Sequence, residues 1–351
     1  MRKPANNEML ILARESRGMS QSDLAERAEI TQASVSKFES GIIEIPDERV
    51  EALAEALGYP VGFFYREGSR RGFASPHLYK RKREMPMKQL RAIEATTNVR
   101  ALEVASLLRG VEIETDVYFD RLDVDEFDSP EDIARMVRAR WRLPMGPIQN
   151  LVRAVESAGG IVVVSDFGTR KLDAISQWMP DHKRPLFFIN SDSPGDRLRF
   201  SLAHEIGHVT MHEVRSEDPE GEADRFAAEL LMPAKEIKSD LRSLSMQKLG
   251  SLKYYWKVSM AALVMQARNL GQMTDAQYRR FWTKMGKLGY RTKEPNPIPR
   301  EEPSVVKDVI DLYRYHHKYS VSDLSRMTHL HAHEFGHLYL QRDQPHLRLV
   351  D

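Results

Sequence analysis

From Met9 to about Phe64, apolar residues recur at helical spacing in short stretches separated by turn signals. The pattern predicts a first helix over roughly Met9–Arg17, stopped at Gly18. Ser20 is a good N-cap for a second, Gln21–Ala28, with Asp23 at the capping-box position that Glu or Gln more often fills. Thr31 can cap a third, Gln32–Ser40, closed by Gly41. Pro46 and Asp47 open a fourth, whose Val50, Leu53, Ala54 and Leu57 share one face, with Gly58 ending it. Residues 65–90 are polar, basic and proline-punctuated, and read as a linker. Helical spacing returns at Leu90–Leu108, and Asp116–Asp128 is acidic and loop-like. Ser129-Pro130 caps and opens a helix through Trp141, and Ile148–Ala158 makes another. Then the period changes. Ile161–Val164, Ala174–Trp178 and Leu186–Ile189 are short β-branched or aromatic runs bounded by Gly, Pro and Asp, which predict a small sheet. Arg197–His212 and Glu222–Met232 return to helix, as does most of the remainder outside the proline-rich Glu294–Pro303.

Composition narrows the chemistry. A length of 351 residues suits two or three domains, and 41% hydrophobic with 29% charged residues suits a soluble globular protein. No run approaches the ~20 apolar residues that span a bilayer, and no apolar stretch follows Met1–Glu8, so neither membrane insertion nor a signal peptide is expected. Cysteine is absent, which removes disulfides, thiolate zinc sites and cysteine nucleophiles, and fits a cytoplasmic location. Any metal must be held by carboxylates and the 12 histidines. The net charge of +1 hides an acidic stretch over about 1–68 followed by a basic one with Arg70, Arg71, Lys80, Arg81, Lys82, Arg83, Lys88, Arg91, Arg100 and Arg109. Phosphate contacts would draw on that second stretch.

His204-Glu205-Ile206-Gly207-His208 is an H-E-x-x-H motif. Residues four apart lie one above the other on a helix, so His204 and His208 can reach a single ion, with Glu205 beside it to take a proton from water. Neutral imidazoles suit zinc, and a catalytic zinc takes three protein ligands plus a water. The third ligand should be a carboxylate on a later element, with Glu220 and Glu222 as candidates. A second match, His333-Glu334-Phe335-Gly336-His337, has Asp343 and Asp351 as the acids among the few residues after it. There Leu324, Met327, Leu330, Phe335 and Leu338 read as the core face of a small helical unit rather than the frame of a metal site.

The second and third helices, joined by Glu29-Ile30-Thr31, have the spacing of a helix-turn-helix, with Ala25, Ile30, Val35 and Phe38 packed between them. Gln32, Ser34, Ser36 and Lys37 would lie on the outer face of the second, where base edges are read, and Gln21 could meet a phosphate at a helix N-terminus. The acidic balance of this region also suits a helical protein–protein module.

Residues 9–64, with Met19-Ser20-Gln21-Ser22-Asp23-Leu24-Ala25 and Ser34-Val35-Ser36-Lys37-Phe38-Glu39-Ser40-Gly41, resemble the Cro/C1-type XRE helix-turn-helix. Gly195–His208, followed by Glu220–Pro233, resembles the ImmA/IrrE metallo-endopeptidases, and the whole resembles fusions of the two. Glu220-x-x-x-Asp224 is similar to the gluzincin E-x-x-x-D pattern, in which Glu binds metal and Asp orients a ligand histidine. The resemblance implies a multidomain, mainly α protein: an all-α helix-turn-helix domain (1–68), a basic linker and helical connector (69–145), an α+β gluzincin-like domain with a small sheet (146–235), and a helical C-terminal extension (236–351). It implies Zn2+ on His204, His208 and Glu220, Asp224 behind them, and Glu205 as the base. The implied partners are operator DNA and a protein substrate such as a helix-turn-helix repressor, in a stress or mobile-element response, with dimerisation expected. Two alternatives remain: a regulator whose metal domain senses a ligand or partner without cleaving, and self-cleavage in the basic linker around Lys80–Arg83.

Overall fold

The computed structural model describes residues 4–68, 85–122, 124–179, 184–212 and 216–340. The basic residues Arg70, Arg71 and Lys80–Arg83, with Asp343 and Asp351, lie outside them. The chain divides into two compact units, one formed by its N-terminal part, residues to 112 and those from 306 onward, the other by Ile113–Val305.

The first unit starts with α1 (Asn7–Ser16), α2 (Gln21–Arg27), α3 (Gln32–Glu39) and α4 (Asp47–Leu57). Their starts are set by local chemistry. The Asn6 side chain caps α1, Ser20 and Asp23 form a reciprocal capping box on α2, and Thr31 caps α3. Gly58 ends α4 at φ 63°, left-handed backbone that glycine adopts without penalty. Ala25, Val35 and Phe38 are buried and Ile30 packs against their cluster, as the spacing predicted. Arg14 is buried with Glu39, its Nε donating at 2.5 Å, and thereby ties α1 to α3.

The long helix α5 (Met87–Leu108) packs on α1, so Ala95 and Val99 join the N-terminal core. The chain's last described residues belong to this unit too. Leu107 is buried with Val309, Ile310, Leu324, Leu330 and Phe335 in a second cluster, against which Met327 and Leu338 pack. These come from α13 (Val305–Asp311), α14 (Val321–Thr328) and the short α15 (Ala332–Phe335), which runs into a π-helical turn. The connector and the C-terminal extension were expected as segments in their own right. Here the helix in 85–112 packs both on α1 and on the returning segment 306–340.

The second unit is built around a three-stranded sheet of order β1-β3-β2, with β1 (Ile161–Ser165), β2 (Ala174–Trp178) and β3 (Pro185–Asn190). β1 runs parallel to the central β3 and β2 antiparallel. Every residue of β3 is buried, as a strand covered on both faces should be. α6 (Pro130–Arg140), α7 (Leu151–Ser157), α8 (Gly195–Met211) and α9 (Pro219–Leu231) pack around it. α10 (Met246–Trp256), α11 (Met260–Asn269) and α12 (Asp275–Lys287) follow. The mainly α, multidomain character with one small sheet is as expected.

Two devices fix the helices that matter most. The proline-rich segment straps the start of α8: Arg300 donates to the carbonyls of Asn190, Ser191 and Ser193, while Glu301 meets Arg199. α6 clamps α9 through Glu131–Arg225 and Arg135–Glu229 ion pairs and an Arg138 bond to the Leu230 carbonyl at 2.6 Å. Among the described residues no helix is long and apolar enough to cross a membrane.

Candidate functional site

Helix α8 carries the H-E-x-x-H motif on a face turned toward α9 and β2. The two helices approach closely because Gly207 has no side chain. A Cβ there would meet the Phe226 ring at 3.0 Å and Ala223 Cα at 3.3 Å. That proximity brings Glu220, in the first turn of α9, to the histidines. Ligand atoms of His204, His208 and Glu220 all lie within 4.8 Å of one another, and among the described residues they are the one three-residue group of this kind. The second motif, His333–His337, forms none.

The hydrogen bonds around the trio suit a cation. His204 Nε2 and His208 Nε2 face each other at 2.8 Å, and Glu220 Oε1 is 4.0 Å from His208 Nε2. Both Nδ1 atoms are engaged behind. His204 Nδ1 lies 2.8 Å from Asp224 Oδ1, and His208 Nδ1 lies 2.6 Å from His212 Nδ1. His212 Nε2 in turn lies 2.9 Å from Glu222 Oε2.

These contacts order the protons. An ionised carboxylate only accepts, so His212 Nε2 carries a hydrogen for Glu222. Neutral His212 then accepts at Nδ1, His208 donates from its Nδ1, and His208 Nε2 is left with a bare lone pair. Burial holds the His212 pKa below its ordinary value against the opposing pull of Glu222, which agrees with a neutral ring. Burial also lowers His204, but the Asp224 hydrogen bond and the charges of Glu205, Asp224 and Glu220 outweigh it and leave that pKa raised. The surroundings of His204 therefore favour positive charge. Two imidazole nitrogens and a carboxylate, each backed from behind or turned to a common point, are the donor set that zinc takes.

Glu205 is buried beside this trio, and Ser176 on the edge strand β2 donates to its Oε2 at 2.6 Å. Sequence reasoning named His204, Glu205, His208, Glu220 and Asp224, and the fold brings all five together. Glu222, the competing ligand candidate, faces His212 instead. His212 and Ser176 were missed. His212 had a signal, since His204, His208 and His212 repeat every four residues along one helix. A serine on a strand carries none.

In the first unit Gln32 and Lys37 are exposed on α3, and Ser34 and Ser36 are half-buried. Ser34 Oγ lies 2.8 Å from Thr31 Oγ1, within the cap of the helix. Gln21 is already bound: its Nε2 donates to Glu39 Oε2 at 2.8 Å and its Oε1 accepts from Gln32 at 2.8 Å. The glutamines form a bridge across the turn, with their amides set by Glu39.

Residues 10–64 match the family described as helix-turn-helix. Residues 156–268 match the IrrE N-terminal-like domain family. No curated protein matches the chain.

Proposed function

We propose that this chain, which joins an XRE-type helix-turn-helix domain to an IrrE/ImmA-like peptidase-family domain, is a DNA-binding regulator with zinc-dependent endopeptidase activity toward a regulatory protein. The observation that carries it is the paired arrangement of His204, His208 and Glu220 with their backing groups, and Glu205 beside them. A zinc ion held there supplies Lewis acidity toward a peptide carbonyl and a water of lowered pKa. Glu205 takes the proton of the attacking water and later delivers it to the leaving amine. Ser176 holds the carboxylate on the sheet side of the cleft, while Asp224 and the His212–Glu222 pair hold the rings. Gln32 and Lys37 reach DNA from α3, on paired half-sites bound by a dimer, and Gln21 presents Gln32 rather than meeting a phosphate alone. The substrate in this reading is a repressor-like protein of a stress or mobile-element response.

The test is Glu205→Gln with Glu220→Ala, read by metal analysis and by cleavage of co-expressed partners. Glu205→Gln should keep one zinc per chain and lose cleavage by about 10²–10⁴-fold, the usual worth of a general base. Glu220→Ala should lose the metal. Retained cleavage in Glu205→Gln would overturn the mechanism. Regulation unchanged by Glu205→Gln but abolished by Lys37→Ala would favour a non-proteolytic sensor.

A further inference from the structure

The second H-E-x-x-H segment, which takes no part in the metal site, repeats the geometry of the helix-turn-helix at an offset of 300 residues. Ser20 and Asp23 form the capping box of α2, and Ser320 and Asp323 form that of α14. Each helix is followed by a residue with left-handed backbone, Glu29 at φ 53° and His329 at φ 57°. The next amide then closes back on the helix at 2.9 Å, from Ile30 to the Ala25 carbonyl and from Leu330 to that of Ser325. The turn before the capping box repeats too, with Gly18 at φ 64° and Lys318 at φ 59°. Residues other than glycine seldom adopt this backbone, so its recurrence at both turns marks a structural repeat. Burial follows the same register. Leu24, Ala28 and Val35 are buried in the first copy, and Leu324, Thr328 and Phe335 in the second. α13 stands where α1 does, with Val309, Ile310 and Tyr313 buried at the places of Met9, Leu10 and Ala13.

The copies diverge at the surface. Val321 and Ala332 stand in place of the bridging Gln21 and Gln32, so the second copy has no amide there to pair with an adenine edge. Arg326 and His329 stand in place of Glu26 and Glu29, which removes two acids that burden the first copy's approach to phosphate. His331, Ala332, His333 and His337 are exposed, as Thr31, Gln32, Ala33 and Lys37 are at the matching positions of α3. Glu334 is the one acid in 332–340, and Arg17 neutralises it at 2.7 Å. Imidazole N–H groups can donate to phosphate oxygens. The four exposed positions carry no large apolar side chain, which disfavours a protein partner on this face.

We infer that residues 320–338 are a second helix-turn-helix that lies against duplex DNA, with His333 and His337 set on its phosphate backbone. In this division α3 selects the sequence, while α15 adds affinity without selecting it. The inference rests on the proposed DNA binding by α3.

The test is photo-crosslinking of the full-length chain to a mixed-sequence DNA duplex. The photoreactive residue p-benzoylphenylalanine replaces Ala332, or Ala33 at the matching surface of the first copy, or Tyr254, exposed on the second unit, as control. Ala332 and Ala33 should both capture DNA, and Tyr254 should not. In a second measurement, fluorescence anisotropy on the same duplex, His333→Glu with His337→Glu should weaken binding by at least about tenfold, as like charges set against each other do. Its melting transition should stay at the wild-type temperature. Capture at Ala33 but not at Ala332 would overturn the inference and leave the reading of α3 standing. So would capture of a protein chain instead of DNA at Ala332, capture at Tyr254 as strong as at Ala332, or unchanged affinity in the double variant. Capture at neither alanine would overturn both. None of these readouts depends on zinc or on peptidase activity.

Discussion

At the scale of single residues, the two acids that sequence could not separate have different tasks. Glu220 is in reach of both proposed ligand histidines, whereas Glu222 is 2.9 Å from His212, which in turn lies against His208. Loss of an outer partner of this kind usually costs 10–100-fold in metal affinity. His212→Ala and Glu222→Gln should therefore each weaken zinc by about 10–100-fold, measured by chelator competition, and the double variant should be no worse than His212→Ala alone. Additive losses would show that Glu222 acts by another route. His329 makes a separate prediction. Burial, reinforced by Arg66 and Arg109, pushes its pKa down to about 4. In the unfolded chain the ring titrates near 6.5, so between about 6.5 and 4 the unfolded state holds more protons. Its contribution is full above 6.5 and is lost as pH falls toward 4. His329 also has left-handed backbone, φ 57°, at the end of α14, where glycine is at ease. His329→Gly should flatten the decline in stability over that pH interval in denaturant titrations, and an unchanged slope would reject the assignment.

At the scale of elements, most of what the pattern predicted was local and most of what it missed was not. The caps at Ser20, Thr31 and Ser129, the three strands and the H-E-x-x-H helix are written in residues close together in sequence, and all are found. Glu220 was read as preceding the next helix and lies on its first turn, because Asp218 caps α9 and Pro219 opens it. The pairing of Glu222 with His212, and of Ser176 with Glu205, depends on how α9 and β2 cross α8. Hydrophobic period shows which face of each is apolar, not what meets the polar edge. Gly207 sets the crossing of α9, and Gly195 seats the start of α8 under its strap. Gly207→Ala places a methyl against Phe226 and Ala223 and should push α9 outward, lowering zinc affinity while the chain still folds. Gly195→Ala is harsher, since its Cβ would lie 2.4 Å from the Ile298 carbonyl oxygen and 2.6 Å from that of Pro299. Both neighbours are backbone, so a loss of about 1–3 kcal/mol in chemical unfolding is expected, the usual range for overpacking. A neutral result at Gly195 would mean that the strap over the start of α8 is slack.

At the scale of the whole molecule, the chain leaves its first unit, builds the second, and returns. Apolar spacing over Val305–Leu340 marks a helical unit but cannot name the surface that covers it, which is why the sequence suggested an extension of the peptidase-like part. The partner is α5. Leu107 is sealed by the returning helices, and Arg66 spends its buried guanidinium on the carbonyls of Thr328 and Leu102 and the hydroxyl of Ser106, at 3.1, 2.7 and 2.8 Å. A chain ending at Ser304 would expose Leu107 and take one acceptor from Arg66. Exposing a buried leucine costs about 1.5–3 kcal/mol, and an unmet buried charged donor adds to it. That total is a large share of the 5–15 kcal/mol that holds a domain folded. The truncated chain should therefore lose the melting transition of the helix-turn-helix unit, or shift it down by several degrees in calorimetry, while retaining zinc at the level of the full-length protein. The proposed ligands His204, His208 and Glu220, with Asp224, His212 and Glu222 behind them, lie between Ile113 and Val305, within the part that is kept. An unshifted transition would show that the N-terminal helices are stable without their C-terminal cover. Loss of zinc would show that the second unit needs residues beyond its own boundaries.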